Sequence, residues 1–148
     1  MGWLDALQGR IVGLDTAPLI YLIEENPRYI GTVRPLFEAL DRGEFTMVTS
    51  TVTLLEVLVQ PLRHLDERLA EQYRSILLHA RGLTTIPLTS DIAQEAAALR
   101  ARYDIGTPDA IQVAAALHHG ASCFVTNDLR LRSLPMLEML VLSELRTP

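Results

Sequence analysis

The sequence contains no lysine: all 13 of its positive charges are arginine, set against 18 acidic residues for a formal net charge of −5. That absence removes several function classes at once. A phosphate-binding P-loop requires its lysine, Schiff-base and lysine-linked cofactor enzymes require theirs, and a phospho-receiver domain requires another. Cysteine is nearly absent as well. Cys123 stands alone, so no intrachain disulfide can form, and its apolar surroundings from Ala121 to Val125 read as core in a chain made for a reducing cytosol. No apolar run approaches the roughly 18–20 residues that span a bilayer. The start, Met1-Gly2-Trp3-Leu4-Asp5, has neither the basic nor the apolar segment of a secretion signal. A cytoplasmic protein without membrane contact is expected. The acidic balance argues against a protein held on nucleic acid by bulk positive charge, while leaving room for local basic patches.

What is present fits a single domain over residues 1–148. A domain of this size buries roughly 68–70% of its unfolded surface, enough for a core without staples. Short apolar runs alternate with longer helical periodicities, the pattern of an α/β fold. Strands are expected at Ile11 to Leu14, Phe45 to Thr49, Leu83 to Ile86, Cys123 to Thr126 and Leu140 to Leu142. Between them, Thr16 is expected to cap a first helix and Tyr29 to Asp41 to form a second that stops at Gly43. A third runs from about Thr51 up to Pro61, with Leu54, Leu55, Leu58 and Val59 on one side. Leu65 to Ala80, Ser90 to Tyr103 and a segment opened by Thr107-Pro108 and closed by Gly120 complete the set. Strands separated by helices imply a mostly parallel sheet covered on both faces, with ligands at the carboxyl ends of the strands.

Acidic residues stand at those ends. Asp15 follows the first strand, Glu56 lies in the helix after the second, Asp109 opens the helix before the fourth, and Asp128 comes two residues after the fourth. Each has a structural reading: a turn or cap for Asp15, a capping box with Thr53 for Glu56, favourable interaction with the helix dipole for Asp109, and a cap of the following turn for Asp128. Leu55, Val57 and Leu58 suggest a buried turn around Glu56, where a charge would need a partner. Taken together, the four point elsewhere. Carboxylates about 4 Å apart repel by roughly 4 kcal/mol per pair at an effective dielectric of 20, so a cluster holds either protons or a cation. Oxygen donors without a zinc-spaced Cys/His set favour Mg²⁺ or Mn²⁺; His64 and His79 are isolated, and adjacent His118 and His119 read as structural. Phosphodiester hydrolysis is the chemistry that such carboxylate-held ions perform best.

The segments Gly13-Leu14-Asp15-Thr16, Thr53-Leu54-Leu55-Glu56-Val57, Thr107-Pro108-Asp109-Ala110-Ile111 and Phe124-Val125-Thr126-Asn127-Asp128 resemble, in order and over nearly the whole chain, the four motifs of PIN-domain ribonucleases. The resemblance is greatest to the VapC-type toxins of toxin–antitoxin pairs. It implies a PIN-like three-layer α/β/α domain with a central, mostly parallel sheet. It implies Asp15, Glu56 and Asp109 as ligands of one or two Mg²⁺ or Mn²⁺ ions and Asp128 as the completing acid. Thr126 would hydrogen-bond a ligand; Thr16 either supports the site or caps its helix. Single-stranded RNA cleavage, homodimers and a cognate antitoxin are likewise implied. RNA contact would fall to Arg100, Arg102, Arg130 and Arg132, close in sequence to Asp109 and Asp128, arginine being suited to bidentate phosphate contact.

Two rivals differ in class. A haloacid-dehalogenase-like phosphatase also begins with an aspartate after strand one, but Thr16 and Ala17 follow where a second aspartate is needed, and its lysine is missing. The other is a non-catalytic PIN-like module whose acidic groove docks a partner protein. The charge balance fits the nuclease: with one or two divalent ions on the acids, the formal charge of −5 becomes about −3 or −1.

Overall fold

Parallel pairing follows from the connections. β1 (Ile11–Leu14), β2 (Thr46–Ser50), β3 (Leu83–Ile86), β4 (Cys123–Thr126) and β5 (Glu138–Val141) are joined by segments too long for hairpins, so each strand returns to the same edge before the next begins. In the computed structural model, which describes residues 2–145, all the pairings are parallel and the order is β3-β2-β1-β4-β5. The helices are α1 (Thr16–Ile23), α2 (Ile30–Asp41), α3 (Thr51–Arg63), α4 (Glu67–His79), α5 (Ser90–Arg102) and α6 (Thr107–His118), with short 3₁₀ turns at Asp5–Leu7, Leu129–Ser133 and Leu142–Glu144.

Side-chain alternation along the strands builds the three layers. Val12, Leu14, Met47, Cys123 and Val125 join one core with Leu19, Leu36, Val57, Tyr73 and Leu77, under α1 to α4. Val48 and Phe124 point the other way, into a core with Ile92, Leu99, Val113 and Ala114 under α5 and α6. Gly13 lies on that second face, where a Cβ would stand 2.5 Å from Phe124 Cδ1 and 2.9 Å from Ala116 Cβ. Gly43 and Gly120, expected as helix stops, have φ of +77° and +78°, a region that favours glycine.

Several expectations shift. Asp15, not Thr16, caps α1, and Thr89, not Ser90, caps α5. Pro61 does not end α3 but lies buried two residues before its end, so the helix continues past it without the hydrogen bond that an N–H at 61 would make to the Val57 carbonyl. The inward row of α3 is Thr53, Val57 and Pro61. Leu55 is 65% exposed, with Val59 and Leu62 also exposed, and Glu56 is exposed beside Leu55. Leu54 and Leu58 pack against the first core at the edge of that row, while Thr53 takes an inward place because its hydroxyl has hydrogen-bond partners there. The fifth strand begins at Glu138 rather than Leu140.

Candidate active site

The sheet order reverses direction at β1: the chain moves from β1 through β2 to β3 on one side, then returns to place β4 on the other. Such a switch point opens a crevice at the carboxyl ends of the two diverging strands. Leu14 ends β1 and Thr126 ends β4, with Leu14 in register with Val125. Asp15 and Asp128 therefore emerge side by side. The carboxyl end of β2 leads directly into α3, which carries Glu56. α6 begins at the same edge and carries Asp109 in its first turn. A cavity of about 440 Å³ lies here, and Asp15, Glu56, Asp109 and Asp128 all line it.

Three of the four acids are held by hydrogen bonds from neighbouring groups. Asp15 accepts from the Thr16 amide at 2.8 Å through Oδ1 and from the Thr126 hydroxyl at 2.7 Å through Oδ2. Thr126 is wholly buried and accepts in turn from the Asp128 amide at 3.1 Å, so one hydroxyl sets the spacing of two acids. Glu56 accepts from the Thr16 hydroxyl at 2.7 Å. The expected capping box is not formed: the cap of α3 is Ser50, which accepts from the Val52 amide. Asp128 caps the Leu129–Ser133 turn and is also gripped by Arg130, whose Nε and Nη2 donate to its two oxygens at 3.0 and 2.7 Å.

Burial pushes the Asp15 carboxyl above its ordinary range; its Thr126 and Thr16 hydrogen bonds oppose this, and the Glu56 and Asp128 charges reinforce it. Asp109 is raised in the same direction, by burial first and then by Asp15 and Asp128. The Arg130 guanidinium holds Asp128 below the usual carboxylate range. This is the electrostatic pattern of a carboxylate cluster that lacks a counter-ion except at Asp128. Among the described residues, no three acids, histidines or cysteines converge tightly enough to form a ready metal cage. The donor set itself suits a hard divalent cation: anionic oxygens around an open cavity.

The expected RNA-contacting arginines separate. Arg130 lines the acidic cavity. Arg132 is paired with Glu144. Arg100 donates to the Ile105 carbonyl and the Thr107 hydroxyl and lines a different, largely apolar cavity of about 570 Å³ between α5 and α6. Arg102 is exposed at the end of α5 and lines neither cavity.

Beneath the acids lies a network absent from the motif reading. Gln112, only 2% exposed, accepts from the Ser50 hydroxyl at 2.6 Å, donates to Thr16 Oγ1 at 3.1 Å and also donates to Thr53 Oγ1. The Thr49 hydroxyl lies 2.9 Å from both the Leu14 carbonyl and Thr53 Oγ1. Asn127 donates to the Tyr21 hydroxyl at 3.1 Å and accepts from the Ser143 amide at 3.0 Å. The available signal was a lone polar residue in the apolar stretch Ile111-Gln112-Val113-Ala114, three positions after Asp109 and thus on its helix face.

The fold is shared with proteins of known structure. Solved structures of similar fold include a VapBC2 complex from Rickettsia felis bound to a DNA fragment from its promoter, with a TM-score of 0.70 and 20% identity over 88% of this chain and 98% of that one. A DNA-bound VapBC from Salmonella typhimurium scores 0.64 at 22% identity, over 90% and 98% of the two chains. VapC20 of Mycobacterium tuberculosis, a sarcin-ricin loop cleaving toxin, scores 0.63 at 21% identity, over 77% and 86%. Among curated proteins, none matches the chain by sequence. The PIN-domain family pattern matches residues 12–136, a span that runs from β1 past β4 and takes in all four acids, and by that match the chain belongs to the PIN-domain family.

Proposed function

We propose that this chain is a divalent-metal-dependent endoribonuclease and the toxin of a toxin–antitoxin pair, working in the cytoplasm as a homodimer whose subunits each fold as one unit over residues 1–148. The observation that carries the reading is the gathering of Asp15, Glu56, Asp109 and Asp128 around one cavity at the sheet's switch point. The family and the VapBC neighbours support it.

In this reading Asp15, Glu56 and Asp109 hold Mg²⁺ or Mn²⁺, one or two ions, and Asp128 completes the acidic set. When bound, such ions neutralise the cluster, activate water for attack on phosphorus and stabilise the leaving oxygen. The chain's own contribution is orientation. Thr126 and the Thr16 amide occupy one position on each Asp15 oxygen, which fixes the plane of the carboxylate. The Thr16 hydroxyl does the same for Glu56, and Arg130 is the arginine at the cavity wall able to reach a phosphate.

The test is cleavage of single-stranded and structured RNA by purified protein with Mg²⁺ or Mn²⁺, compared with EDTA and with Asp15→Ala and Asp109→Ala. Cleavage that requires metal and is lost in both variants is expected. Equal degradation by wild type and variants overturns the nuclease reading. If no form cleaves yet a neighbour-encoded protein binds the acidic cavity, the chain is a docking module.

A further inference from the structure

Aromatic side chains make up only 5% of the sequence; Phe37, Phe45, Phe124 and Tyr73 are buried, and Trp3 and Tyr103 pack against the two cores. Tyr21 and Tyr29 pack partly against the first core and also against each other. Tyr21 lies on α1 one turn beyond Ala17, about 7.5 Å along the axis from Thr16, and lines the acidic cavity. Its ring stacks on Tyr29 with centroids 4.7 Å apart and planes 17° from parallel. The Arg28 guanidinium carbon lies 5.4 Å from the centre of the Tyr29 ring. The arrangement is held in place. Asn26 donates its amide to the Tyr21 carbonyl at 2.9 Å, and its side chain accepts from the Arg28 and Tyr29 amides at 2.9 and 3.2 Å. Asn127, between Thr126 and Asp128, donates to the Tyr21 hydroxyl.

We propose that Tyr21, backed by Tyr29 and Arg28, is a nucleobase-stacking subsite that receives the base next to the phosphate held over the carboxylates. Tyr29 covers one face of Tyr21, and Tyr21 contributes to the wall of the acidic cavity, so a base entering that cavity meets it. A fixed ring with a cation at the far end of the stack is the arrangement by which single strands are bound without reading sequence: every base has a π-face, and a nearby arginine adds backbone attraction. The Asn127–Tyr21 bond ties the ring to the loop that carries Asp128, so stacking and phosphate placement share one rigid frame. This inference rests on the nuclease reading and adds a base-binding element to it.

The test is binding of a fluorescein-labelled single-stranded RNA ten-mer, with Ca²⁺ in place of Mg²⁺, against a base-free ribose–phosphate oligomer of the same length. Wild type is expected to prefer the base-bearing strand by about tenfold or more. Tyr21→Leu should lose that preference, with both oligomers binding alike, and Tyr21→Phe should restore it. Arg28→Gln should weaken both oligomers equally. Should Tyr21→Leu fold poorly, Tyr21→Trp serves instead: its emission, beyond the Trp3 signal shared with wild type, should be quenched by the base-bearing strand and not by the base-free one. An undiminished base preference in Tyr21→Leu, or no differential quenching in Tyr21→Trp, overturns the subsite. So does a Tyr21→Leu variant that binds RNA normally and instead loses a neighbour-encoded protein, which makes the stack a protein contact. Metal-dependent cleavage lost in Asp15→Ala but indifferent to Tyr21 refutes the subsite alone; absence of both cleavage and RNA binding refutes the nuclease reading with it.

Discussion

A neutral amide at position 112 meets a demand that no other side-chain chemistry of that size meets. Its carbonyl accepts from Ser50 while its NH₂ group donates to Thr16 and Thr53; a glutamate there could only accept, and a leucine could do neither. Gln112→Leu, close in volume, should therefore cost about 1–3 kcal/mol for each buried polar atom left unpaired, read as a lower denaturation midpoint at constant m-value. A midpoint within error of wild type would show that the network relaxes without loss. The acids make a prediction of opposite sign. Because burial, Asp15 and Asp128 raise the Asp109 carboxyl in the fold, the folded state holds its proton more tightly than the unfolded chain. The stability that this provides is complete below the ordinary carboxylate range and is lost as pH rises through the raised value. In EDTA, Asp109→Asn should thus match wild type in acid and exceed it at neutral pH. Parallel stability–pH curves for the two proteins would contradict the raised carboxyl.

At the scale of elements, β1 is packed so closely that one of its residues can have no side chain. A Cβ on Gly13 would meet the ring of Phe124, itself 1% exposed, and Ala116, so neither neighbour can move into open space. Gly13→Ala should destabilise by about 1–3 kcal/mol through overpacking, and Phe124→Leu in the same chain should recover part of that loss. Additive losses in the double variant would argue against the clash. This glycine also illustrates what the sequence could reveal. The apolar runs identified the strands because their period and length are local properties, and the four acids read together from the sequence do line one cavity, three from strand or helix ends and Glu56 from the second turn of α3. The orientation of α3 was legible only in part. Leu54 and Leu58 pack against the first core, but Leu55 and Val59 are exposed, and Thr53 turns inward because Thr49 and Gln112 offer it hydrogen bonds. The same limit applies to the arginines. Proximity in sequence to an acid placed Arg130 at the cavity, whereas Arg100 turned back onto Thr107 and Arg132 onto Glu144.

For the whole molecule, four of the 18 acidic residues stand around one cavity, where a cation would offset their charge. Under the nuclease reading, Mn²⁺ or Mg²⁺ binds the folded chain alone and stabilises it by about 2.7 kcal/mol at a hundredfold excess over Kd, or roughly 5–11 °C in melting temperature for a domain of this size. Asp15→Asn should blunt that rise, and an equal rise in wild type and variant would remove Asp15 from the ligand set.

The strand order has one more consequence. The Asp15 amide bonds to the Val125 carbonyl at 2.9 Å, and the Asp15 carboxylate is set by Thr126, 111 residues away. During synthesis the first acid thus leaves the ribosome long before the strand that orients it. A nascent chain that has not yet produced β4 carries Asp15 and Glu56 without the frame that makes them a site. If the chain cuts RNA, the ribosome making it is shielded by chain topology until β4 has been made and has paired with β1.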